Sequence, residues 1–271
     1  MTMTAGVVEG YLKVAPAVER EGDVATIDAH GIYYRQLNEA VREEVAAGAK
    51  RLVLSDVNGQ RYIGTGVDGA GVTIEVRGTA GSDLGMFLDG PTVEVFGNAQ
   101  DGVGNTMNAG RVVVHGDAGD VLGYGMRGGS VFVRGDVGYR VGIHMKAYEK
   151  HVPVMVCGGK ARDFFGEYMA GGVLVLLGMH TQFPEQPLVG SFVGAGMHGG
   201  VIFLRGTVEP WQCGKEVGIT EATEEDLAVL RPHIEAYAQA LGLDAEEILS
   251  VPFTKLAPFS HRPYGKLYAS M

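Results

Sequence analysis

Glycine returns along this chain on a fixed beat of nineteen residues. The stretch GTAGSDLGMFLDG beginning at Gly78 comes back as GNAQDGVGNTMNAG from Gly97, GDAGDVLGYGMRGG from Gly116 and GDVGYRVGIHM from Gly135. Two sets of glycines keep the interval, Gly78, Gly97, Gly116 and Gly135 in one and Gly85, Gly104, Gly123 and Gly142 in the other. Between the clusters lie short β-prone runs, VTIEVR (72–77), TVEVF (92–96), RVVVH (111–115) and SVFVR (130–134). A repeat of this length with one such run per period is the signature of a solenoid, in which each coil buries its apolar face only by lying on the next. The same offset stacks Ile74, Val93, Val112 and Val131 in one column and Val76, Val95, Val114 and Val133 in a second. The fold class expected is therefore mainly β, a right-handed parallel β-helix built as a single-stranded solenoid of about six coils.

Two insertions shift the beat without ending it. KAYEKHVP (146–153) delays it to Gly166, Met169 and Gly172, and MHTQFPEQPLVGSF (179–192) delays it again to Gly194, Met197 and Gly200, with the columns resuming at Leu174 and Leu176 and then at Ile202 and Leu204. Insertions in a solenoid map to surface loops, where partners or ligands are met. The corner glycines follow from geometry, because the chain turns sharply, often at positive φ, and stacked corners leave little room for a Cβ. The open ends of such a stack need covers. Tyr33, Leu37, Val41 and Val45 mark an amphipathic helix ending near Gly48, followed by the strand-like RLVLS (51–55). Leu227, Leu230, Ile234, Tyr237 and Leu241 mark another that stops at Gly242. The organisation expected is an N-terminal α/β cap over 1–58, a β-helix over 59–206, and a helix with an extended tail over 207–271.

Composition narrows the function classes. Glycine makes up 43 of 271 residues while 46% are apolar, so the glycines belong to a folded core and not to a linker. The net charge of −10 predicts a soluble, cytoplasmic chain with no general attraction to nucleic acid or an anionic membrane. No signal-peptide pattern and no run of eighteen apolar residues is present. Cys157 and Cys213 are too few for a disulfide framework, an iron–sulfur cluster or a structural zinc site.

Three segments satisfy G-x-G-x-x-G, starting at Gly64, Gly123 and Gly194, but each leads into a strand-like run where a dinucleotide site needs a helix. His144, with Lys146, Tyr148 and Glu149, reads as turn-exposed polar residues rather than a catalytic cluster. The corner carboxylates Asp83, Asp89, Asp101, Asp117, Asp120 and Asp136 lack the nine-residue rhythm of calcium rolls and suit hydrogen bonds to unpaired turn amides. In NGQRYIGTG (58–66), Gln60 and Arg61 read first as a junction tying the cap to the stack, with a ligand contact as the alternative. No catalytic, cofactor-binding or metal-ligating residue is assigned; the residues singled out are the corner glycines, Gly166 and Gly194 included.

The run GSDLGMFLDGPTVEVFGNAQDGVGNTMNAGRVVVHGDAGD, continuing through GYGMRGGSVFVRG and GEYMAGGVLVLLG, resembles the GXGXG domain that closes the large subunit of glutamate synthase, over roughly residues 59–206. A related repeat occurs in one of the subunits of formylmethanofuran dehydrogenase. The resemblance implies that glutaminase chemistry, and the FMN and iron–sulfur clusters, belong to partner subunits, because Met1 and Thr2 stand where a nucleophilic cysteine would begin. What it implies is a non-catalytic scaffolding subunit of a glutamate synthase-like oxidoreductase, paired with separate amidotransferase and FMN/iron–sulfur subunits. A component like the repeat-bearing subunit of formylmethanofuran dehydrogenase and a free-standing homo-oligomeric binding protein are the alternatives.

Overall fold

The computed structural model describes residues 14–259; the readings made on Met1, Thr2 and the last twelve residues lie outside that range. Among the described residues the strands form one 12-stranded sheet. β1 (Val18–Glu21) and β2 (Val24–Asp28) pair antiparallel, and helix α1 (Tyr34–Ala46) then carries the chain across to β3 (Arg51–Asn58), which lies parallel to β2. From there the ladder is parallel through β4 (Thr73–Thr79), β5 (Asp89–Phe96), β6 (Ala109–Val114), β7 (Ser130–Val133), β8 (Val154–Cys157), β9 (Ala170–Leu176) and β10 (Gly199–Arg205). The chain is thus mainly β, a parallel β-solenoid.

Both expected columns exist and run further than the nineteen-residue beat. Pairing aligns Ala25, Leu52, Ile74, Val93, Val112, Val131, Met155, Leu174 and Ile202, and next to them Ile27, Leu54, Val76, Val95, Val114, Val133, Cys157, Leu176 and Leu204. Every one of these side chains is fully buried. At about 1.5–3 kcal/mol for burying a large aliphatic side chain, the two columns are the main stabilising element of the fold. The strands ahead of the repeat, within the segment expected as an α/β cap, therefore extend its sheet. β8 supplies a coil between the two insertions, where the altered spacing hides it.

Outward-facing positions differ along the axis. Glu75 and Glu94 occupy the early coils, then Val113, Phe132, Val156, Val175 and Phe203 follow in the same column. The apolar part is covered by helix α2 (Glu224–Leu241) through Leu230, Ile234, Tyr237 and Leu241. This helix begins with a capping box between Thr223 and Asp226 and ends at Gly242 in the left-handed conformation. The short α3 (Ala245–Leu249) brings the chain back, and β12 (Phe253–Pro258) inserts antiparallel between β10 and β11 (Val217–Glu221). The segment expected to run as an extended tail is, over those residues, a strand that satisfies the open edge of β10. At the other end, β1 presents Glu19, Arg20 and Glu21 on an exposed edge, a charged rim that discourages edge-to-edge pairing.

Candidate functional site

The corner glycines have two distinct reasons to be glycine. Gly85, Gly104, Gly123, Gly142, Gly166 and Gly194 all sit at φ between +64° and +76°. A Cβ on them would point inward, at Val112, Val131, Met155, Leu174, Ile202 and Val217 in turn. Gly97, Gly116 and Gly135 carry no positive φ; there a Cβ would stand 2.0–2.2 Å from an oxygen of the coil before, Gly78 O, Asn98 Oδ1 and Asp117 Oδ1 respectively. Gly78 combines a φ of +126° with a Cβ position 2.0 Å from Val57 O.

Corner carboxylates are spent on the next coil. The amides of Asp117, Asp120, Asp136, Tyr139, Lys160 and Ser191 donate to Oδ1 of Asn98, Asp101, Asp117, Asp120, Asp136 and Asp163, at 2.8–3.0 Å. Asp83 instead accepts from Asn105 Nδ2 at 3.0 Å. The remaining oxygens of Asp136 and Asp117 hold the second insertion down: Asp136 Oδ2 accepts from Thr181 Oγ1 and the Gln182 amide, and Asp117 Oδ2 from Gln182 Nε2. Lys160 Nζ donates to the carbonyls of Phe183, Pro184 and Gln186, so this strap closes on itself. The first insertion is a small hairpin closed by reciprocal Tyr148 and His151 backbone bonds, and Lys146, Tyr148 and Glu149 lie on it.

Gln60 is buried at the junction of α1 with the first coils. Its Nε2 donates to Ala29 O at 2.8 Å and Ile32 O at 3.2 Å, while its Oε1 accepts from the Asn58 amide. The Arg61 carbonyl accepts from Asn38 Nδ2 at 2.8 Å, and the exposed Arg61 guanidinium sits 5.1 Å from the Tyr62 ring centroid. The three G-x-G-x-x-G segments run into β4, β7 and β10, so no helix N-terminus faces any of them. Cys157 is fully buried and burial pushes its thiol pKa far up; burial raises that of Cys213 as well. Neutral thiols of this kind are poor nucleophiles.

The feature that sequence reasoning missed is a corner face carrying side chains at positive φ. Phe87, Thr106, His144 and Tyr168 form one column there, and Asp83, Val121, Arg140, Phe164 and Phe192 a neighbouring one. Left-handed backbone costs a residue with a Cβ about 1–2 kcal/mol, so each position is held by its neighbours. The rings supply part of that support. His144 and Tyr168 stack at 5.3 Å, Tyr124 meets His144 edge-on at 5.8 Å, Phe164 and Phe192 stack at 4.9 Å, and Arg140 lies 4.3 Å over Phe164 while pairing with the buried Glu167. Yet Tyr124, Tyr168 and Phe192 remain about half exposed, and Trp211, on the turn tied to Val193 through Gln212 O, is 74% exposed. These partly exposed rings are the candidate contact surface of the chain. The signal was present two residues beyond each of Gly85, Gly104, Gly123, Gly142 and Gly166, where Phe87, Thr106, Gly125, His144 and Tyr168 fall in register.

The architecture is that of a parallel β-solenoid stacked on glycine corners. The GXGXG motif family model matches residues 47–259, from the end of α1 to the end of β12. An uncharacterized protein of Methanocaldococcus jannaschii is 48% identical over 248 residues, covering 89% of this chain and 95% of the relative. The chain belongs to the GXGXG motif family.

Proposed function

We propose that the chain is a cytoplasmic, non-catalytic scaffolding subunit of a glutamate synthase-like oxidoreductase. Separate amidotransferase and FMN/iron–sulfur subunits perform the chemistry, and glutamate biosynthesis is the work of the assembly. Family membership supports the class. The aromatic corner face carries the reading at the level of residues: the amides of Phe87, Thr106, Gly125, His144 and Tyr168 each donate to a carbonyl of the next coil, which fixes the backbone there, and several of the rings on it stay about half exposed. On this reading Tyr124, Tyr168 and Phe192 are the anchors for a partner subunit, and the strap over Asp117 and Asp136 stiffens the adjoining side.

Burial raises the pKa of the buried Cys157 thiol and of the partly buried Cys213 thiol, which supports placing glutamine hydrolysis elsewhere. The experiment compares glutamine- and 2-oxoglutarate-dependent oxidation of NAD(P)H or ferredoxin by the isolated chain, by the candidate partner subunits and by the mixture. Activity that arises or rises only on mixing is the expected result. Turnover by the isolated chain refutes the scaffold reading.

A further inference from the structure

The middle of the second insertion lies on the solenoid without entering its core. At its root the Met179 amide donates to Gly158 O at 2.7 Å, and at its far end Leu188 packs on Gly178, where a Cβ would stand 2.6 Å from Leu188 Cδ1. Between these points residues 182–187 are exposed. What secures them is polar: the Asp117 and Asp136 carboxylates, the Lys160 ammonium under its carbonyls, and the Arg162 guanidinium, which donates to Gln186 Oε1 and lies 5.3 Å from the Phe183 ring centroid. The cleft beneath, of about 20 Å³ and lined in part by Asp136, Lys160, Arg162, Phe183 and Gln186, has room for about one water. A segment held in this way opens at a lower free energy than the buried strands under it.

His180 stands at the root of this strap. Its Nε2 is buried and has no hydrogen-bond partner among the described residues. The charged groups acting on it are Arg134, directly after β7, and Glu247, on α3. The ionisable groups beside Gly158, Cys157 on β8 and Tyr237 on α2, stay neutral because burial raises the pKa of both thiol and phenol. Burial, with Arg134 adding to it and Glu247 opposing, holds the His180 pKa below its ordinary value. A proton on the ring would place an Nε2–H without an acceptor in a site that already faces a guanidinium. Lifting the strap returns the ring to water, where it takes up the proton near pH 6.5, roughly the value of a free histidine.

We propose that the strap opens as a unit while the solenoid stays folded, and that protonation of His180 favours the open state. The closed strap binds the proton less tightly than the open one, so the open fraction grows as pH falls below about 6.5 and stops growing below the closed-state pKa. Opening frees the side chains of Asp117, Asp136, Lys160 and Arg162, whose charges then become available to another surface. The device belongs to the chain alone and does not rest on the scaffold reading.

Hydrogen exchange of the full-length chain, followed by mass spectrometry from about pH 7.5 to about pH 4.5 and expressed as protection relative to the free-peptide rate at each pH, tests the device. The amides of Gln182, Phe183 and Gln186, which bond to Asp136 or within the strap, are expected to be at least about a hundred times less protected at neutral pH than those of β9. Between about pH 7.5 and 5.5 their protection is expected to fall by about threefold to tenfold, tenfold being the limit for release of a single site with a pKa of about 6.5. His180→Gln, which keeps a polar side chain but cannot titrate, is expected to abolish that fall, and Arg134→Gln, which removes the facing cation, to shrink it. Lys160→Met is expected to lower strap protection at neutral pH and to leave the fall in place. Strap amides as protected as β9, a fall smaller than about threefold, or one that survives His180→Gln undiminished, each overturns the proposal. So does a fall that begins only below about pH 5, where carboxylates titrate.

Discussion

Gly123 and Gly125 are two residues apart, both left-handed, at φ +65° and +58°, and differ in the space beside them. A Cβ on Gly123 would stand 2.5 Å from Met155 Cε, with Met145 Sδ at 3.7 Å, inside the first apolar column; one on Gly125 would meet only Thr106 Oγ1 at 3.9 Å. Alanine at either position incurs the left-handed penalty of about 1–2 kcal/mol. At 123 it also overpacks the core, an added cost of about 1–3 kcal/mol, reduced where the Met155 methyl can swing away. Gly123→Val, whose branched side chain tolerates neither the backbone nor the space, belongs at the upper end, about 3–5 kcal/mol. With about 2–4 °C of melting temperature per kcal/mol for a chain of this size, Gly123→Val is expected to melt about 6–20 °C lower, and Gly125→Ala about 2–8 °C lower. The clash is with the Met155 methyl, Met145 standing at ordinary contact distance, and not with the stacked Gly104 and Gly142 that the repeat alone points to. Thermal melts of Gly123→Ala, Gly123→Val, Gly125→Ala and Gly125→Asn separate strain from space. Equal shifts for alanine at 123 and 125 would refute the packing argument, and an unchanged melt for Gly123→Val would refute the stacked-corner geometry.

Burial pushes the pKa of His180 and His233 down, with Arg134 adding to the shift at His180. Protons therefore bind the unfolded chain more readily, and stability present above the unfolded histidine pKa of about 6.5 is lost as pH falls through the lower folded values. Urea midpoints at pH 7.5 and 5.5 should fall accordingly, and His180→Gln/His233→Gln should flatten the difference. Cys157→Ser places a hydroxyl among apolar neighbours and is expected to cost about 1–3 kcal/mol in a denaturant titration. Cys213→Ser should cost less, and neither substitution should lower the activity of a reconstituted complex containing folded protein. NAD, NADP, FAD and FMN should each leave the melting temperature unchanged; micromolar binding of any of them would show that a glycine corner can hold a dinucleotide without a helix.

The columns and the corner glycines were legible because they repeat: a position buried by the same geometry in each coil accepts the same few residue types, and the interval exposes it. The strand Val154–Cys157 carries the same inward pattern, Met155 and Cys157 continuing the two columns, but the hairpin at 146–153 lengthens its coil and breaks the count. β12 was illegible for another reason. Its sequence FTKLAP has no partner of its own kind, and it becomes a strand because β10 ends the parallel ladder with an open edge. Gln60 was singled out by its polar, glycine-framed setting, and the structure gives its amide a junction's bonds. For Arg61 only the carbonyl does that work, and its guanidinium stays at the surface beside Tyr62.

The aromatic face shows why a repeat can disguise a run of aligned side chains. Reading for glycine treats the position two residues beyond each inner corner glycine as a variable spacer, since it holds Phe87, Thr106, Gly125, His144 and Tyr168 in succession. Its backbone is the constant: all five are left-handed, and four of the five bear the cost of a Cβ there. A position that repeatedly accepts that strain, when Gly125 shows that glycine fits, gains something from its side chains. Burial is not the gain, because Tyr168 is 48% exposed and Phe87 41%. Stacking offsets part of it for His144 and Tyr168, but Phe87 and Thr106 have no ring partner among the described residues. What all four share is a place on the outside of the corner, and the proposed partner contact is the gain that would offset a backbone cost borne there.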